Sequence, residues 1–62
     1  MIKIQFETDN AAFEEYNFNF EVARILHNLA DHMLSEGGSR GEQLKPIFDL
    51  NGNRIGSLEV VF

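Results

Sequence analysis

From Phe18 to Ser35 the apolar residues of FNFEVARILHNLADHMLS recur every three to four positions, the period of a helix with one buried side. Val22, Ile25, Leu26, Leu29 and Met33 centre the apolar face, and Phe18, Ala23, Ala30 and Leu34 widen it. Glu21, Arg24, His27, Asn28, Asp31, His32 and Ser35 fall on the opposite side. Such a stripe is wide enough to cover a sheet and too wide for a coiled-coil seam. Phe20 breaks the pattern, because it falls on the polar side near Arg24, His27 and Asp31.

The flanking segments alternate instead. Ile2, Ile4 and Phe6 share one side of Met1 to Glu7, which reads as a half-buried strand ended by Thr8-Asp9-Asn10. Ala11 to Tyr16 carries enough apolar surface to pack down, and a short helical turn is possible there. Asn17 is a good N-cap for the long helix, with Asn19 as its rival. Gly37 is a natural stop, and Glu36 to Gln43 reads as a flexible loop. Leu44 to Leu50 and Arg54 to Phe62 read as two further strands joined by the hairpin signal Asn51-Gly52. Pro46 cannot donate to a ladder, so the second strand belongs at an edge and the third in the middle.

These elements predict one domain over residues 1–62: an α+β fold, β-α-β-β, with one helix on a three-stranded antiparallel sheet of order 1-3-2. A three-residue hairpin loop with a bulge at left-handed Gly52 sets Phe48 opposite Arg54, on the face of Leu58, Val60 and Phe62. That register turns Ile47, Ile55 and Val61 away from the helix, where they form a candidate self-association patch and hence a possible homodimer.

Ten acids against five bases give a net charge of −5. Glu7, Asp9, Glu14, Glu15 and Glu21 lie in a stretch without a base. This disfavours phosphate contacts, which need Lys and Arg, so no direct nucleic-acid binding is expected. It suits solubility or a partner with a basic surface. A chain of 62 residues without cysteine has a small core and no disulfide to add to it, which raises the prospect of a partner chain. The start of the chain reads as a strand rather than a signal peptide, and no run is long enough to span a membrane. The expectation is a cytoplasmic protein with no membrane contact.

Candidate chemistry is sparse. Ser35, Ser39 and Ser57 lack a nucleophile elbow. His27 and Asp31 share a helix face, but His32 is about 140° from His27, too few ligands together for zinc. Asp49, Asn51 and Asn53 resemble the start of a calcium loop, yet the glycine falls too early for one. No catalytic residue, metal site or cofactor is expected, and the chain does not read as an enzyme.

What remains is EEYNFNFE, where rings and carboxylates interleave. A row of carboxylates can imitate a nucleic-acid backbone to a basic groove, while the rings anchor the contact. Glu7, Asp9, Glu14, Glu15, Tyr16, Phe20 and Glu21 are therefore the candidate partner-binding residues. The plain alternative is a solvated acidic surface over a satellite core of Phe13, Tyr16 and Phe18.

ETDNAAF (Glu7 to Phe13), EVARIL (Glu21 to Leu26) and DLNGNRIG (Asp49 to Gly56) together resemble small hypothetical proteins encoded by phages and prophages. In similar sequences a proline commonly follows the helix cap, where Phe18 stands here. The resemblance implies an accessory role in a bacterial host, of which blocking a host machine, as anti-CRISPR proteins do, is one form. It implies no catalytic residues.

Overall fold

The computed structural model describes residues 1–35 and 41–62. Strand β1 spans Ile2–Phe6, helix α1 Phe18–Ser35, strand β2 Gln43–Phe48 and strand β3 Arg54–Val60. All pairings are antiparallel, and β3 lies between β1 and β2. The α+β architecture and the 1-3-2 order are those the sequence predicts. The stop expected at Gly37, and much of the loop expected from Glu36, lie outside the described residues.

Helix α1 forms over its full expected span because its apolar period has a matching sheet face to cover. Ile25 and Leu29 are buried with Ala12, Phe13, Ile47 and Leu58, and Phe6, Val22, Met33 and Ile55 pack around them. Two short 3-10 turns, Ala11–Phe13 and Glu15–Asn17, lead into the helix. Asn17, the expected cap, instead closes the second turn, its N–H donating to the Glu14 carbonyl at 2.8 Å. The turn at Ala11 drops Phe13 into the core, where its ring stacks on Phe6 and meets Phe18 edge-on, both at 6.3 Å between centroids.

The hairpin between β2 and β3 adopts the three-residue form. The Gly52 N–H donates to the Asp49 carbonyl, and the Asp49 N–H to the Asn53 carbonyl. Gly52 has φ +85°, a backbone that glycine reaches without penalty. Phe48 stands opposite Arg54 as expected.

The faces, however, are exchanged. Ile47 pairs with Gly56 while Phe48 pairs with Arg54, so Ile55 is an extra residue in β3, a second bulge beyond the turn. One extra residue inverts every side chain downstream. Ile47 therefore points at the helix and is only 3 % exposed, whereas Phe48 is 49 % exposed. Ile55 is half-buried against the core, and Val61 alone of the three lies exposed, beyond the end of β3. The outer-face patch expected from Ile47, Ile55 and Val61 does not form. The outer face carries Leu44 and Phe48 instead, with Pro46 between them.

Candidate partner-binding surface

The segment from Glu7 to Phe20 is anchored at its start by Glu7 and Asn10. Glu7 extends the sheet by one bond, its N–H donating to the Ile55 carbonyl at 3.0 Å. Asn10 then turns the chain. Its Oδ1 accepts the Ala12 N–H at 3.0 Å, capping the first 3-10 turn, while its Nδ2 donates to Asp49 Oδ2 at 2.7 Å. With Phe13 drawn inward, the residues after it are turned to solvent. Glu7, Asp9, Glu14 and Glu15 are all exposed, and the rings of Tyr16 and Phe20 are 87 % and 78 % exposed.

Glu15 opens the second turn with φ +37°. A side chain rarely adopts that backbone, which costs about 1–2 kcal/mol.

Glu21 is not one of the solvated acids of this surface. It is buried at the sheet-facing edge of α1 rather than on the polar side. Its carboxylate takes two bonds from Arg24, Nε to Oε1 at 2.5 Å and Nη2 to Oε2 at 3.1 Å, and a third from the Leu50 N–H at 2.7 Å. Arg24 also donates to the Phe48 carbonyl at 3.2 Å. The pair thus ties α1 to the hairpin. A helical wheel sorts residues by angle alone and could not show that a hairpin N–H would meet this carboxylate.

Asp49, buried beneath the hairpin, is the residue the sequence reading undervalues. Its Oδ1 accepts the N–H groups of Asn51 and Asn53, both at 2.9 Å, and its Oδ2 accepts Asn53 Nδ2 at 3.1 Å besides Asn10. Those donors occupy the lone pairs a cation would need, so DLNGN works as a self-closing turn. Among the described residues no group of three or more His, Cys, Asp or Glu is placed to hold a metal ion. The signal in sequence was the Asp-x-Asn-Gly-Asn spacing, which also belongs to Asx turns.

Both buried carboxylates titrate low. For Glu21 the Arg24 hydrogen bond outweighs the upward push of burial, helped by the Leu50 N–H. For Asp49 burial pushes upward, but the combined bonds from Asn53, Asn51 and Asn10 hold it below its ordinary value. Groups whose values are lowered by folding contribute stability in full above their unfolded values, here near 4.5 for Glu21 and 3.8 for Asp49, and lose it as pH falls through the folded ones. The urea midpoint is therefore expected to hold above pH 5 and to drop below about pH 4. Asp49→Asn should lower the midpoint at neutral pH and flatten its fall in acid. An equally steep fall in that variant would remove Asp49 from the account.

Phe20 is less isolated than its place in the sequence suggests. Ala11, Ala12, Asn17, Phe20, Leu50 and Asn51 line one shallow groove between the start of α1 and the hairpin tip, and the Glu21–Arg24 pair forms part of the same lining. Leu50 is exposed there, a contribution from the far end of the chain that a linear reading misses. No helix among the described residues is long and apolar enough to cross a membrane.

The geometry defines a small α+β domain with an acidic, aromatic protrusion built from the β1–α1 connection. The chain matches no protein-family model, no curated protein and no solved structure.

Proposed function

We propose that this is a non-enzymatic binding protein of phage or prophage type that occupies a basic surface of a bacterial nucleic-acid-handling complex and blocks it, as an anti-CRISPR inhibitor would. The surface is Glu7, Asp9, Glu14, Glu15, Tyr16 and Phe20, with Leu50 added across the groove and Glu21 removed. The observation that carries this reading is the high exposure of Tyr16 and Phe20 in a segment whose four acids all face solvent.

Exposed rings cost solvation and are favoured where they fill a partner's pocket. Carboxylates around them speed and orient the approach to a basic groove, with a strength that falls as salt rises. Arg24, the base nearest Phe20 along the chain, is already engaged by Glu21, so it is not free to neutralise the carboxylates around the ring. The strained backbone at Glu15 fits the same reading, because strain of this kind gathers at sites that hold a side chain in place for contact.

The test is a plasmid-interference assay in bacteria carrying CRISPR effectors of different types, with and without this chain. Protection of the plasmid by the wild-type chain, lost in Tyr16→Ala with Phe20→Ala, is the expected result. In purified components the captured complex should dissociate as salt rises, and Glu14→Gln with Glu15→Gln should weaken it by about tenfold. Glu15→Gly should raise thermal stability while weakening binding. If the substituted proteins fold and still inhibit fully, the protrusion is not the binding surface.

A further inference from the structure

The open edge of β1 is a second surface, distinct from the protrusion. Met1 and Val61 exchange backbone bonds, and the Glu7 N–H reaches the Ile55 carbonyl. Hydrogen-bonded pairs alternate along an antiparallel ladder. Odd-numbered residues of this strand therefore bond β3, and the N–H and C=O groups of Ile2, Ile4 and Phe6 point away from it. No described residue takes them up. Their side chains lie on the helix side, because their partners Val60, Leu58 and Gly56 do. Even so, Ile2 is 60 % and Ile4 46 % exposed.

The helix leaves them uncovered. Arg24 fixes one flank of α1 over β2 through the Phe48 carbonyl. Leu26 lies roughly 160° around the helix from Arg24, on the β1 flank, and it too is exposed. An unpaired edge flanked by exposed apolar side chains is a surface that soluble proteins normally cover or guard with charge.

The opposite edge is guarded. By the same alternation Leu44, Pro46 and Phe48 face outward from β2. Pro46 has no N–H to offer there, and the Phe48 carbonyl already accepts from Arg24.

We infer that two copies of this chain pair through β1, antiparallel, with Ile4 opposite Ile4 of the second copy, to form one continuous six-stranded sheet. Overlap selects that register, because Ile4 is the middle residue of Ile2–Phe6 and only there does every residue of the strand find a partner. Centring the pair on Ile4 sets Ile2 against Phe6 on the helix side and Lys3 against Gln5 on the outer side. Centring it on Lys3 would set two ammonium groups face to face, which is disfavoured. A two-fold axis through the Ile4 pair is normal to the sheet, so both helices lie on the same face and both Leu26 side chains turn toward the seam. The acidic protrusions then lie at the far ends of β1 in each copy, leaving two binding surfaces free.

Sedimentation and cysteine cross-linking test this directly, since the chain has no cysteine of its own. The wild-type protein should sediment as a dimer at micromolar concentration, and Ile4→Lys should weaken the association by about tenfold or more. Hydrogen-bonded partners have Cα and Cβ atoms about 5.5 Å apart, too far for a direct disulfide but within reach of a short thiol-to-thiol cross-linker. Such a reagent should join Ile4→Cys readily into a covalent dimer. Ile2→Cys should be joined slowly, and Leu44→Cys on the guarded edge no faster. A monomer at high micromolar concentration, a dimer indifferent to Ile4→Lys, or faster cross-linking through Ile2 or Leu44 would each overturn the inference. None of these outcomes bears on inhibition through Tyr16 and Phe20.

Discussion

Gly56→Ala is expected to lower stability by about 3 kcal/mol or more, enough to unfold much of the protein at room temperature. A Cβ at this position would lie 1.9 Å from the Gln5 carbonyl oxygen and 2.5 Å from Phe6 Cα. Both atoms are backbone of β1, so no rotamer change can make room. Gly56 faces Phe6 in a non-hydrogen-bonded pair, where antiparallel backbones come closest, and the neighbouring bulge at Ile55 adds local twist. Moving β1 outward to admit a methyl group would also separate Phe6 from Phe13, whose rings stack at 6.3 Å. Urea denaturation followed by circular dichroism measures the loss. Gly52→Ala is the informative companion. Gly52 has open space around its Cβ position but φ +85°, so only backbone strain is at stake, about 1 kcal/mol. A wild-type midpoint for Gly56→Ala would mean that β1 and β3 are not so close.

Ile47→Ala should cost about 3 kcal/mol, and Phe48→Ala about 1 kcal/mol or less. By residue size alone the order would be reversed. Ile47 is enclosed by Ile25, Leu29 and Leu58 in the core, while half of Phe48 meets solvent on the outer face. Because a small domain has little stability to spare, Ile47→Val provides a graded check at about 1 kcal/mol. Equal losses at the two positions, or a larger loss at Phe48, would restore the register in which Phe48 points inward. The same pair of variants therefore measures the bulge at Ile55 as well as the core.

The candidate surface was legible in part. Tyr16 and Phe20 stand out in sequence because the segment around them is acidic and the helix period leaves Phe20 no buried position. Glu21 has the same charge and nearly the same address, yet the hairpin delivers the Leu50 N–H to it and Arg24 reaches back to it. Whether a carboxylate is solvated or bonded depends on what the distant chain brings, and a local window does not contain that. Leu50 joined the groove for the same reason, 30 positions from Phe20 in number and lining the same groove in space. Asp49 was visible as a turn residue, but its bond to Asn10 joins segments that sequence spacing does not relate.

The sequence by itself determined the element order, the long amphipathic helix, the hairpin with left-handed Gly52, and the 1-3-2 sheet with Pro46 at an edge. Each rests on short-range chemistry: a period of 3.6 or 2, a residue free to take positive φ, a residue with no N–H. The tertiary structure alone decided which face of β2 is the inner one. That choice depends on one additional residue at Ile55, whose cost or benefit is set by how Ile47, Gly56 and Phe6 fit beneath α1. A pattern in which Ile47 and Phe48 are both apolar is satisfied either way round, so only packing separates the two.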